Sequence, residues 1–191
     1  MAIAIVVVSI VVLLNGCAKW GPSYKLGNES FDSGSAALQK QSEMHSELSN
    51  KITPVQNPIG GTALVLIPSD VEIQRNFIKY QGDPSKLSQE GSDFIISSVR
   101  NNCKFMADAI VKRHIFTSVS VVRHDGNPAQ FPLGANDFLV FLDIDGWFIR
   151  GKAESKPLSV TPSGKMPTFP IFLDALYQQA KYLQAKDLHR G

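Results

Sequence analysis

Cysteine is scarce in this chain: Cys17 and Cys103 are the only two in 191 residues. A disulfide framework is therefore excluded as the basis of the fold, and so is a cysteine-rich zinc site. Histidine is equally thin, with His45, His114, His124 and His189 scattered and lacking metal-ligand spacing. No HExxH, no CxxC, no phosphate-binding glycine loop and no GxSxG elbow occurs. Gly60-Gly61 precedes a strand-like run, not a helix, so it offers no anion cradle. Neither sign of charge dominates: 19 Lys and Arg against 17 Asp and Glu leave a net +2, with no basic face for nucleic acid. No cofactor and no metal is expected from such a set. A hydrophobic content of 43% is that of an ordinary globular protein.

One long apolar run is present, from Ala2 to Leu14. As a helix its 13 residues would reach roughly 20 Å, short of the roughly 30 Å hydrocarbon core of a bilayer. That length suits the apolar region of a signal peptide. An uncleaved short anchor or a buried helix is the rival reading. The run leads into Leu14-Asn15-Gly16-Cys17, which resembles a bacterial lipoprotein signal. Leu14 and Gly16 match the positions three and one before the modified cysteine, whereas Asn15 replaces the usual Ala or Ser. No Lys or Arg precedes the run, a departure that a true start upstream of Met1 would explain. The resemblance implies that residues 1–16 are removed and that Cys17 carries lipid. Ala18 lacks the Asp that retains many such proteins at the inner membrane. The implied address is the periplasmic face of the outer membrane, with the bilayer as partner through the Cys17 lipid.

From Ala18 to Gly61 the composition turns to Gly, Ser, Asn, Gln and Lys, with Gly21-Pro22, Gly27-Asn28 and Ser33-Gly34-Ser35 as breakers. A helix over Ala36–Leu48 has only Leu38, Met44 and Leu48 as its stripe, too thin to fold alone. Residues 17–61 are accordingly expected to form a flexible, lipid-bearing tether with a span of roughly 35 Å.

At Thr62 the pattern changes. Thr62–Ile67, ended by Pro68, reads as a strand buried on both faces. Ser69 and Glu72 have capping-box spacing ahead of a short helix to about Tyr80. The strongest helix starts at Ser92 or Asp93, where Ile96, Val99, Cys103, Met106 and Ile110 form one stripe and Lys112, Arg113 and His114 crowd the end. Cys103 on that stripe is expected in the core; a reactive thiol is the minority reading. Ser118–His124 is strand-like, and so is Asp137–Ile144, with Phe138, Val140, Leu142 and Ile144 on one face. Asp145-Gly146 signals a hairpin that returns as Trp147-Phe148-Ile149, a straight strand bulged at Gly146 being the rival. Pro157, Pro162, Pro167 and Pro170 punctuate extended coil. A last helix runs from Thr168 or Pro170 to Leu188, with Phe172, Leu176, Ala180 and Leu183 inward.

This element order predicts an α/β (or α+β) protein: one small domain over residues 62–191, with a three- or four-stranded sheet packed by two or three helices. A right-handed crossover joins the first two strands. The order over residues 62–150 is similar to that of periplasmic lipoproteins with a TolB N-terminal-like domain, with Leu64-Val65-Leu66-Ile67-Pro68 closing the first strand and Phe116-Thr117-Ser118-Val119 opening the second. Fold likeness alone supplies no function.

Two places carry candidate sites. Asp143 and Asp145 project to one strand face, and His124-Asp125 could join them if the strands are neighbours; a metal-dependent hydrolase would need that constellation. The plainer reading is a solvated strand end leading into a turn. Trp147-Phe148, flanked by Arg150 and Lys152, suits a protein interface, because one of the two rings must face outward. The rival is that Trp147 packs under the proline-rich segment. The expected function is that of a non-enzymatic, membrane-anchored accessory or scaffold that docks with an envelope or secretion protein; the hydrolase is the alternative.

Overall fold

Two apolar spacings build this chain, one of period two in its strands and one of three and four in its helices. The structure, a computed structural model, describes residues 24–26, 28–81, 88–127, 131–143, 146–152, 158–159 and 169–188. In chain order they form β1 (Tyr24–Leu26), β2 (Glu29–Phe31), α1 (Gly34–Asn50), β3 (Ile59–Pro68), α2 (Asp70–Gln81) and α3 (Gln89–Lys112). Then come β4 (Phe116–His124), β5 (Phe138–Asp143), β6 (Gly146–Gly151), β7 (Leu158–Ser159) and α4 (Phe169–Leu188). The mixed α/β class expected from the sequence is the class of the fold. The described residues hold four helices, and β7 brings the main sheet to five strands. Residues through Lys51 cluster with Asp70–Asn102 in one compact unit, and Ile52–Ser69 with Cys103 onward in a second.

In the first unit the described part of the expected tether, up to Lys51, holds a hairpin and a helix. The hairpin β1–β2 pairs Tyr24 with Phe31, and Ser33, in extended conformation, caps α1 by accepting from the Ala36 N–H. Helix α1 has a thin apolar stripe, as the sequence says, yet Ala37 and Gln41 are fully buried. The reason is a partner distant in sequence. The Gln41 side chain donates to the Ser98 carbonyl (3.0 Å) and to its Oγ (2.9 Å), pinning α1 to α3. Tyr24 sets its ring edge-on to Phe94 at 5.2 Å. Gly34 sits so close that a Cβ there would lie 3.2 Å from Phe94. Asp70 at the start of α2 pairs with Arg100 of α3 at 2.8 Å.

The second unit is built on β3, whose Ala63, Val65, Leu66 and Ile67 are all buried. The sheet order is β4-β3-β5-β6-β7, with β3 parallel to both neighbours and β5, β6 and β7 antiparallel. Asp143 pairs with Gly146, so the expected hairpin forms and Gly146 is its first returning residue, not a loop residue. The α3 stripe is buried as expected, Ile96 and Val99 within the first unit and Cys103, Met106 and Ile110 within this one, and His114 closes the helix in the left-handed region (φ 54°). Phe172, Leu176, Ala180 and Leu183 of α4 are buried too. Arg113, just past α3, bonds the Thr53 carbonyl and Asp174 of α4, which sets these two helix ends side by side. Most of the proline-punctuated segment lies outside the described residues, as do Met1–Ser23.

Candidate functional site

Alternation along β6 separates its two aromatic rings. Trp147 pairs with Leu142 and turns toward α4, where its ring meets Phe172 edge-on at 5.3 Å. It is 3% exposed. This corrects its assignment to a partner surface: a ring enclosed beneath a helix has no face left to offer. Among the described residues its cover is α4. On the same sheet face, a Cβ at Gly151 would lie 3.3 Å from Leu183 of α4.

Phe148 faces the other way, as one ring of the pair had to. It is half-buried and stacks at 5.0 Å on Phe141. Leu66, Leu139 and Phe141 form the buried floor of this second face, with Leu64, Phe131, Leu133 and Phe148 packed around them and partly open to solvent. Arg150 falls on the same face and donates to the Phe131 carbonyl, fastening the β4–β5 connection to β6. Of the three interface candidates, Phe148 and Arg150 thus share one surface, and Trp147 belongs to the core behind it.

At one end of the connection a carboxylate holds the chain. Asp137 accepts from the Thr62 backbone N–H (2.8 Å), from the Thr62 hydroxyl (3.2 Å) and from Lys152. The Lys152 ammonium, with the Thr62 N–H, holds the Asp137 carboxyl below the usual carboxylate range. Gly61 makes the approach possible: its φ is +111°, and a Cβ there would lie 2.7 Å from Asp137 Oδ2. The register of β3 against β4 shifts between Ile59 and Thr62 at the same place. Neither Asp137 nor the Phe131–Leu133 pair was foreseen as functional. The visible signal was two apolar residues, Phe131 and Leu133, in an otherwise turn-like stretch.

The alternative catalytic set sits at the carboxyl ends of the parallel strands, a common ligand position in α/β sheets. His124 pairs with Pro68 of β3, and Leu66 pairs with both Val122 and Phe141. His124 and Asp143 therefore lie on one face but on opposite sides of β3, two strand spacings or roughly 9–10 Å apart in backbone. The strands carrying them are not neighbours, which corrects the condition the hydrolase required. His124 is buried with its ring against Phe141 at 5.0 Å. Asp125 accepts from the Ser69 hydroxyl, a turn-stabilising contact. Asp145 lies outside the described residues. Among the described residues no group of three or more His, Cys, Asp or Glu side chains could hold a metal ion.

Cys103 is 2% exposed, and burial, with a smaller push from Asp143, raises its thiol well above the ordinary range. The protonated thiol behaves as a small apolar group, as its place on the α3 stripe implies. Cys17 lies outside the described residues. Among those described, no helix is long and apolar enough to cross a membrane. No family model, curated protein or solved structure matches this chain.

Proposed function

We propose that this chain is a lipid-anchored envelope protein, held at the periplasmic face of the outer membrane through Cys17, that docks a protein partner on the sheet face bearing Phe148. The Leu14–Cys17 string supports the anchor. The half-exposed Phe148 ring, set among Leu64, Phe131 and Leu133 with Arg150 at its margin, carries the docking reading. An aromatic in an apolar surround beside an arginine is the composition of interface hot spots. No chemistry is assigned to the surface: its role is adhesion, and the protein acts as an accessory to envelope or secretion machinery.

Two measurements test the two halves separately. Metabolic labelling with a fatty-acid probe is expected to mark the wild-type chain and leave Cys17→Ser blank; a blank wild type removes the anchor. A photo-crosslinking residue at Leu133 is expected to capture a defined envelope protein in cells. Phe148→Ala, with its melting temperature checked, is expected to weaken that capture at least roughly tenfold. Capture that is unchanged by Phe148→Ala, or absent altogether, removes the docking face.

A further inference from the structure

The main sheet ends on two very different edges. One is β7, two residues long; the other is β4, which runs nine residues from Phe116 to His124. A long edge strand presents a row of backbone N–H and C=O groups to any strand that can reach it. Proteins commonly blunt such edges with Lys, Pro, a bulge or a covering element. From Phe116 to Val122 the strand has no charge, no proline and no glycine. Thr117, Ser118, Ser120, Val121 and Val122 are all exposed, the two valines at 42% and 40%, so solvent reaches both faces of the strand.

We infer that β4 pairs antiparallel with β4 of a second copy of this chain, about a two-fold axis at Ser120. The strand's own pattern argues for this occupant. Antiparallel apposition centred on Ser120 sets Val119 of each copy opposite Val121 of the other, twice over. It sets Ser118 opposite Val122, and the one formal charge, Arg123, opposite Thr117. The two arginines thus lie at opposite ends of the ribbon, whereas parallel self-pairing would stack them side by side. β-branched pairs across antiparallel strands are favourable, and like charges directly opposite are not. The ribbon would join two five-stranded sheets and leave the Phe148 surface free, because β5 and β3 separate β6 from β4. Such a two-fold interface closes on itself and so ends the edge.

Sedimentation velocity on the full chain in a mild non-ionic detergent, across a hundredfold range of protein concentration, tests the pairing. The wild type is expected to show a monomer–dimer equilibrium. Ser120→Lys and Ser120→Glu, each at an exposed position, are expected to weaken the dimer by about fivefold, because like charges then meet on the axis. Mixing the two variants in equal amounts is expected to restore a mixed dimer. Independently, Ser120→Cys treated with copper phenanthroline is expected to give a disulfide-linked dimer, since residues on the axis face each other within bridging distance. A wild type that stays monomeric throughout overturns the inference. So does a dimer indifferent to both charge variants, or a Ser120→Cys thiol that links only to a different protein in cells.

Discussion

A single residue can be valuable for what it cannot do, and Cys103 is such a case. Burial within the α3 stripe keeps its thiol protonated, so thiolate chemistry is denied to it. In a Cys17→Ser chain, iodoacetamide is expected to label Cys103 roughly a hundredfold more slowly in the native state than in urea; equal rates would show an accessible thiol. Asp137 is the opposite case, a partly exposed carboxylate held ionised by Lys152 and the Thr62 N–H. Its folded-state pKa lies below the unfolded value of about 3.9, so the unfolded chain binds the proton more readily. The stabilisation is therefore complete above the unfolded value and is lost as pH falls through the folded one. Because Lys152 is half-exposed, the contribution is modest, about 1 kcal/mol. Urea titrations of Asp137→Asn should show that loss at pH 7 and a shallower decline in stability below about pH 4 than the wild type. A variant as acid-sensitive as the wild type would assign the acid response elsewhere.

At the scale of elements, β6 shows how one strand serves two surfaces. Trp147 closes the core under α4 and Phe148 furnishes the opposite face, so the two substitutions should separate cleanly. Trp147→Ala is expected to cost about 3–5 kcal/mol by thermal or urea unfolding, the range for an emptied aromatic core site. A loss under about 1 kcal/mol would mean that the indole does not fill that core. Helix α1 makes a related point about reading elements from pattern. Its weak stripe of Leu38, Met44 and Leu48 argues for a flexible arm, yet the helix forms over Gly34–Asn50. What holds it, Gln41 bonded to Ser98 with Ala37 at full burial, could not be seen because Ser98 is 57 residues further on. The hairpin at Asp143 and Gly146, by contrast, is a local signal and was legible from four residues.

For the molecule as a whole, the stretch read as a leash carries part of the packing. Tyr24 covers Phe94, Gly34 fits against both, and Gln41 satisfies Ser98, all within the first compact unit. A chain beginning at Ile52 would leave Phe94 and Ser98 without those partners. Its expected behaviour is a melting temperature several degrees lower and raised binding of an apolar dye; unchanged melting would return residues 24–51 to the role of spacer.

Spacing along the chain was enough to specify β3, the α3 stripe, β5 with its hairpin, and the inner face of α4, because strand and helix periodicities are satisfied among residues a few positions apart. Strand order lay beyond such reading: β3 inserts between β4 and β5, and that insertion sets the strands of His124 and Asp143 two spacings apart. So did the choice of Trp147 for the core and Phe148 for the surface, which depends on the side where α4 comes to rest. Those outcomes follow from apolar surfaces burying one another across dozens of residues, a competition among distant segments that no short window of sequence contains.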